Sequence, residues 1–386
     1  MLIKPKAGLS ARIKVLGIGG GGGNAISSMI ADGGIAGVDF VAVNTDTQAL
    51  LNNKASIKVQ IGENLTKGLG SGGDPEMGRQ AAEESREKIK EELTGVDMVF
   101  LTCGEGGGTG TGASPVIADI AKELGILTIA VVTKPFDFEG SKRKFSADEG
   151  TRSLRDKVDT LIIVPNQKVL QVIDKKTTIL EAFKKIDSVL HQGVKGIAEL
   201  ITQPGLINVD FADVKSIMSQ SGTALMGIGI GSGDKRAMAA IKQAISSPLL
   251  DIAIDGAKGV LFNVIGGPDM TMSEIDEAAS IIAKTVDPDA DIIFGAVIDE
   301  KMIDQIKITL VATKFDNQRL NLFKFKKNTL AEEVSQPLVS NERNFDKLQD
   351  SQDISTETDL DDKNLSPDTF GDDDSEFDVP AFLRKK

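Results

Sequence analysis

Two glycine runs hold the residues of this sequence best suited to bind an anion. The first reads Gly17-Ile18-Gly19-Gly20-Gly21-Gly22-Gly23-Asn24 and the second Gly106-Gly107-Gly108-Thr109-Gly110-Thr111-Gly112. Glycine in ordered structure costs roughly 0.5–1 kcal/mol relative to alanine, so runs this dense need a physical reason. Without a Cβ, backbone N–H groups can crowd around phosphate oxygens, and a helix that follows adds the partial positive charge of its N-terminus. The threonine hydroxyls can donate further hydrogen bonds. Gly17, Gly19 and Gly22 also match G-x-G-x-x-G, a dinucleotide pattern whose usual acid at the end of the second strand would here be Asp46. Nowhere does Gly-Lys precede Ser or Thr. A nucleotide would therefore be held by backbone amides rather than by a phosphate-loop lysine.

A third group is acidic: Asn208-Val209-Asp210-Phe211-Ala212-Asp213. Asp210 and Asp213 are three apart at an expected helix start, so they can share a face. Such acids either cap the helix or polarise a water for attack on a phosphate, since orientation and charge stabilisation carry most of phosphoryl transfer.

The elements that must position these groups follow from periodicity. Apolar runs at Ile13–Leu16, Asp39–Val43, Met98–Leu101, Leu127–Val132 and Leu161–Val164 are continuous rather than alternating, which predicts strands buried on both faces. Helices are expected at Ala25–Ile30, Glu76–Glu92 (opened by Asp74-Pro75) and Ala113–Leu124. In an open parallel sheet ligands bind at the carboxyl ends of strands. Gly19–Asn24, Asn44–Asp46, Gly68–Gly73 and Gly106–Gly112 should thus converge on one edge. A long helix is predicted from Thr178 to Ile201, with Ile179, Phe183, Ile186, Leu190, Val194 and Ile197 at helical spacing. Beyond it, strands at Thr223–Ile230, Gly259–Ile265, Asp291–Val297 and Lys307–Val311, with helices at Lys235–Ile245 and Ser273–Lys284, predict a smaller α/β domain of mixed strand direction.

Composition bounds the rest. The chain has 386 residues, one cysteine (Cys103), one histidine (His191) and no Trp or Tyr. A lone cysteine allows no intrachain disulfide and suggests a reducing compartment. No apolar run approaches the ~20 residues a membrane span needs, and Met1–Ser10 has lysines without the apolar stretch of a secretory signal. The net charge is −13, and residues 331–376 contain 15 of the 57 acids and 3 of the 44 bases, leaving 42 against 41 elsewhere. The nearly neutral remainder lacks the basic footprint of a nucleic-acid binder. From about Asp316 polar residues dominate and disorder is expected. The last ten residues differ: Phe377, Val379, Ala381, Phe382 and Leu383 cluster ahead of Arg384, Lys385 and Lys386, as in a recognition peptide.

Together these pieces resemble the FtsZ family, tubulin-like GTPases of bacterial cell division that assemble into filaments. Gly106–Gly112 has the form of the tubulin signature G-G-G-T-G-[ST]-G, and Lys14–Asn24 that of the family's first nucleotide loop. Asn208–Asp213 is similar to its catalytic loop N-x-D-F-x-D, and Asp378–Arg384 to its C-terminal docking peptide. The resemblance covers roughly residues 12–315 and the last ten.

The fold it implies is α/β and tubulin-like: a Rossmann-like GTP-binding domain (12–177), a central connecting helix (178–202) and a smaller mixed α/β GTPase-activating domain (203–315). A disordered acidic linker (316–376) and a docking peptide (377–386) follow. For the site it implies GTP phosphate contacts at Gly20, Gly21, Gly22, Gly23, Asn24, Gly107, Gly108, Thr109 and Gly110. Ribose and phosphate contacts fall on Glu139 and Arg143, which pattern alone reads as an exposed ion pair at a helix start. Asn166 and Asp187 become the guanine readers. A carboxylate accepting from guanine N1–H and its exocyclic amine discriminates against adenine, which lacks that donor pair. Phe183, one turn before Asp187, either stacks on the base or packs in the core. Mg²⁺ is expected with the phosphates, without a protein cage.

Asn208, Asp210 and Asp213 are the implied catalytic residues. They follow a helix of about 24 residues, whose ends stand ~36 Å apart, so one chain does not readily bring them to its own phosphate loops. In the family the acidic loop enters the neighbouring subunit's pocket, and such a head-to-tail contact generates an open filament. The partners implied are further copies of the chain and, through residues 377–386, membrane adaptors such as FtsA and ZipA, in the cytoplasm at a midcell ring. Three other readings compete: an NAD-dependent dehydrogenase, a scaffold that binds GTP without turnover, and a tubulin-like plasmid-segregation or shape protein.

Overall fold

A computed structural model describes residues 11–171, 174, 176–203, 205–247 and 254–315. The expected acidic linker and docking peptide lie outside the described residues. The strands, in chain order, are β1 (Ile13–Ile18), β2 (Val38–Asn44), β3 (Ile57–Gln60), β4 (Met98–Gly104), β5 (Leu127–Lys134), β6 (Thr160–Pro165), β7 (Gly222–Ser232), β8 (Gly259–Gly266), β9 (Asp291–Ile298) and β10 (Gln305–Thr313). The helices are α1 (Gly19–Ala31), α2 (Thr47–Leu51), α3 (Glu63–Thr66), α4 (Pro75–Glu84), α5 (Arg86–Leu93), α6 (Thr109–Glu123), α7 (Ser141–Arg155), α8 (Asn166–Val169), α9 (Ile179–Thr202), α10 (Phe211–Met218), α11 (Arg236–Ile245) and α12 (Met272–Thr285).

Among the described residues the strands form one sheet in the order β3-β2-β1-β4-β5-β6-β7-β10-β8-β9. From β3 to β6 every pairing is parallel. β4 is buried along almost its whole length, as its unbroken apolar pattern demands. One core cluster, containing Val15, Phe100 and Ile129, also takes in Ile186, Leu190, Val194 and Ile197 of α9. A second contains Leu16, Leu101 and Val132 of the same strands, with Ile117 and Ala121 of α6. β7 joins β6 in parallel over only three residue pairs, Thr160–Gly222 to Ile162–Ala224. Beyond that seam β10 runs antiparallel to β7 and β8, and β8 and β9 are parallel, around a third cluster that includes Phe262 and Ile308. No described helix is long and apolar enough to cross a membrane.

Three local expectations change. The first glycine run is not a loop: α1 starts at Gly19 and absorbs it. The run lets the first turn press on neighbouring backbone, since a Cβ on Gly22 would lie 2.2 Å from the Thr102 carbonyl oxygen and one on Gly21 3.2 Å from the Gly104 nitrogen. The single helix expected over Glu76–Glu92 is two helices broken at Ser85. There the Ser85 hydroxyl accepts from the buried Gly62 N–H at 3.0 Å, which gives that donor a partner. The apolar stripe of α9 is not all core: Ile179 is 71% exposed and Phe183 43%.

Candidate functional site

The carboxyl ends of β1, β2, β4 and β5 open onto a cavity of about 620 Å³. Its walls carry Gly20, Gly21 and Asn24 from the start of α1, Asn44, Thr45 and Asp46 after β2, Leu69–Gly73, and Gly107–Gly110 at the start of α6. The four polar segments expected on one edge therefore do converge.

Each of these segments is placed by backbone contact. α1 and α6 both begin here without a side-chain cap. Their first N–H groups lack intrahelical partners, and two partial positive ends face one space. The loops touch directly. Gly19 has φ +71°, and a Cβ on it would lie 2.8 Å from the Gly110 nitrogen. On the other side, a Cβ on Gly108 would meet the Ser71 hydroxyl at 2.3 Å. Thr109 then ties three loops together: its hydroxyl lies 2.7 Å from that of Thr45 and 3.0 Å from that of Ser71. That hydroxyl holds the loops together at the rim of the cavity.

Gly22 and Gly23 stand apart from the other expected phosphate contacts. Gly22 faces the Thr102 carbonyl, and Gly23 lines a neighbouring cavity of about 140 Å³ beside Asn53. Asp46, the acid of the dinucleotide pattern, is used as a cap: its carboxylate accepts from the N–H groups of Gln48 and Ala49 at 2.9 and 3.1 Å.

The other end of the cavity suits a base. Asn166, at the start of α8, is 6% exposed, and its Oδ1 is buried with no hydrogen-bond partner among the described residues. An orphaned acceptor in a cavity wall is costly unless a ligand donor reaches it. Asp187 and Phe183 line the cavity from α9, Arg143 from α7 and Glu139 from the turn before it. Burial pushes the Asp187 carboxyl up to about 6, helped by the charge of Asp32. Phe183 meets Phe136 edge-to-face at 5.5 Å, and Phe136 stacks on Phe138 at 4.9 Å. Glu139 is ion-paired with Arg143 on adjacent turns and accepts from the Phe136 N–H at 2.9 Å.

The acidic loop is elsewhere. Asn208, Asp210 and Asp213 are exposed and do not line this cavity. Asp210 caps α10 by accepting from the Asp213 N–H at 2.8 Å, and Asn208 accepts from the Gly205 N–H at 2.6 Å. From Asp187 to the end of α9 is about 22 Å of helix axis at 1.5 Å per residue. The bare Leu206 side chain, 66% exposed, flanks this loop, while Leu69 and Phe138, 86% and 70% exposed, lie near the cavity.

One wall residue went unremarked in the sequence. Glu105 sits between β4 and the second glycine run, 4% exposed, and burial pushes its carboxyl up to about 7. The signal was an acid wedged between an apolar strand and a glycine run. Among the described residues no group of three or more His, Cys, Asp or Glu could hold a metal ion.

Comparison with known proteins agrees with this geometry. Residues 12–174 match the model of the Tubulin/FtsZ family, GTPase domain, and residues 222–316 that of the FtsZ family, C-terminal domain. The chain is similar to a solved FtsZ dimer from M. jannaschii at 48% identity and TM-score 0.75, over 78% of this chain and 88% of that one. A second FtsZ structure from M. jannaschii matches at 48% identity and TM-score 0.76, over 79% and 91%. CetZ2 from Haloferax volcanii, solved as a GTPγS-bound protofilament, matches at 20% identity and TM-score 0.68 over 84% of this chain and 100% of that one, a likeness of fold.

Proposed function

Since the chain belongs to the Tubulin/FtsZ family, we propose that it is a GTPase that assembles head to tail, its hydrolysis completed in trans by the acidic loop of the next subunit. The observation that carries this reading is the division of the machinery. A cavity suited to a nucleotide lies toward one end of α9, and the exposed carboxylates of Asp210 and Asp213 lie beyond the other.

At the phosphate end, the N–H groups of Gly20, Gly21 and Gly107–Gly110 bind the anion, with the two helix N-termini supplying positive potential where no lysine does. A Mg²⁺ ion would accompany the phosphates and take its ligands mainly from phosphate oxygens and water. Glu139 and Arg143 reach the ribose and phosphates. Asn166 and Asp187 read the guanine edge, and Phe183 covers the base. In trans, Asn208, Asp210 and Asp213 orient the attacking water and stabilise charge as it develops. Exposed Leu206 at one end and Leu69 and Phe138 at the other supply apolar surface for a heterologous contact, which propagates as a filament rather than closing.

The cellular role that follows is a cytokinetic ring at the division site, in the cytoplasm. Residues 377–386 would link the filament to membrane adaptors such as FtsA and ZipA. The domain limits proposed from the sequence (12–177, 178–202 and 203–315) stand as the working division of the chain.

The decisive experiment is phosphate release and pelleting of the purified protein with GTP, GDP and ATP. GTP turnover that rises with protein concentration, together with GTP-dependent pelleting, supports the reading. Tight NAD binding without GTP binding would return it to the dehydrogenase class, and GTP binding without turnover to a scaffold.

A further inference from the structure

We propose that Glu105 is a positioning residue of the phosphate site, whose charge, carried through Thr111 and Gly106, sets the affinity of the second glycine run for a triphosphate. This rests on the GTP reading above and deepens it.

The placement is specific. Glu105 follows β4, and its N–H donates to the Thr133 carbonyl at 2.9 Å, which pins the backbone at the cavity wall. The side chain turns under the glycine run. Its Oε1 accepts from the Cys103 thiol at 3.4 Å. Its Oε2 is buried without a hydrogen-bond partner among the described residues. A Cβ on Gly150 would stand 2.4 Å from that oxygen and 2.3 Å from the Thr111 methyl, so α7 closes over the carboxyl and only glycine fits there. Thr111 belongs to α6, and its hydroxyl accepts from the Gly106 N–H at 2.8 Å. The Thr111 hydroxyl is also within hydrogen-bond reach of the Glu105 carboxyl, so a change there meets the glycine run through one hydroxyl.

The charged and titratable groups around it come from each packed element. β4 contributes Cys103, whose thiol burial keeps protonated. β5 contributes Lys134, which is paired with Asp148 of α7 at 2.6 Å. α6 presents only hydroxyls, Thr111 and Ser114. Among the described residues Lys134 is therefore the cation acting on Glu105, and its charge is already matched by Asp148. A carboxylate ionised in this place adds an uncompensated negative charge beneath a loop that holds phosphates.

The sign follows from linkage. Bound triphosphate opposes ionisation of Glu105 and raises its pKa further. By reciprocity, ionisation weakens triphosphate binding. Affinity falls as pH rises through the carboxyl's range near 7. A glutamine in its place retains the shape and removes the charge.

The test is the affinity of GTPγS for wild type and Glu105→Gln, measured from about pH 6 to pH 8.5. The ratio of the two dissociation constants cancels the titration of the ligand itself. The expected ratio is near one at the acid end and rises about tenfold at the alkaline end, the equivalent of one pKa unit of coupling. Glu105→Met, similar in length and also uncharged, replaces the glutamine variant if that variant does not fold, and the same rise is expected. A flat ratio with both proteins folded and binding overturns the inference and reduces Glu105 to a structural role. Failure of wild type to bind GTPγS at any pH overturns the nucleotide reading, and the inference with it.

Discussion

A Cβ placed on Gly19 would stand 2.8 Å from the backbone nitrogen of Gly110, so the two glycine runs meet with no room for a side chain between them. Gly19 also has φ +71°, a region that L side chains rarely adopt. Gly19→Ala should therefore destabilise the fold by about 1–3 kcal/mol. A Cβ on Gly20, next in sequence, would meet nothing within 4 Å. Gly20→Ala should leave stability within about 0.5 kcal/mol. Urea denaturation of both variants makes the comparison, and equal loss would mean that the contact of the two runs is not what holds the cavity.

The proposed guanine reader should work against the fold. Asp187 is pushed up from an ordinary 3.8 to about 6, so the folded protein binds its proton more tightly than the unfolded chain does. Its contribution to stability declines as pH rises from about 4 to about 6 and stays low above that. Asp187→Asn should make the nucleotide-free protein more resistant to urea at pH 7 and flatten that decline. The same variant should bind GTP more weakly and lose preference over ATP, by about 1.5–3 kcal/mol for a charged acceptor. In wild type, GTP affinity should weaken below about pH 6 as the carboxylate protonates. Unchanged affinity and choice in the variant would reassign Asp187 to structure.

Catalysis in trans predicts complementation. Asp213→Ala, or Asp210→Asn, should bind GTP but lose most turnover. The asparagine keeps an acceptor for the Asp213 N–H, so α10 stays capped. Gly108→Ser should cripple the pocket, because its Cβ would meet the Ser71 hydroxyl and the Asp74 backbone. A mixture of the two defective proteins should recover part of the rate at mixed contacts. No recovery, with both folded and coassembling, sinks the shared site.

Assembly itself should set the rate. Turnover per subunit should climb with protein concentration and level off once most subunits have a neighbour. A rate per subunit that is flat from dilute to concentrated protein would mean each chain carries a complete site.

The terminal peptide should be separable from the motor. Deleting residues 377–386 should leave turnover and pelleting near wild type and abolish capture by adaptor-coated membranes. The isolated peptide should bind such an adaptor, and its Phe382→Ala version should bind far less, since buried aromatic anchors dominate contacts of this size. Equal binding of the two peptides refutes that anchor.

Much of the architecture was legible because burial on both faces leaves a plain mark. Runs such as Met98–Leu101 admit a strand and little else, and the rule that ligands sit at strand ends brings four separate segments to one edge. β3 escaped because Ile57–Gln60 is four residues long with an exposed lysine in it. The break at Ser85 escaped because the partner of its hydroxyl, the Gly62 N–H, lies 23 residues away. At the cavity, the glycines that would touch a ligand and those that only touch backbone are identical in type. Gly21 lines the wall and Gly22 does not, and no pattern of spacing separates them. The contacts that Thr109 makes with Thr45 and Ser71 join positions 64 and 38 residues apart, which no local pattern shows. Glu105 was in plain view, yet its meaning depends on α7 closing over it with a glycine at position 150.

The two uncapped starts of α1 and α6 have a consequence for the emptied molecule. Like poles pointed into one hollow repel each other, and neither helix start has a side-chain cap of its own. An anion seated there acts as mortar as well as cargo. Stripped of it, the protein should loosen first around residues 19–24 and 106–112. Any small oxyanion at high concentration should firm up that same corner without being consumed. Hydrolysis leaves a diphosphate in the hollow, so the subunit is slackest only when the nucleotide itself departs, and the moment of exchange is the moment of greatest fragility.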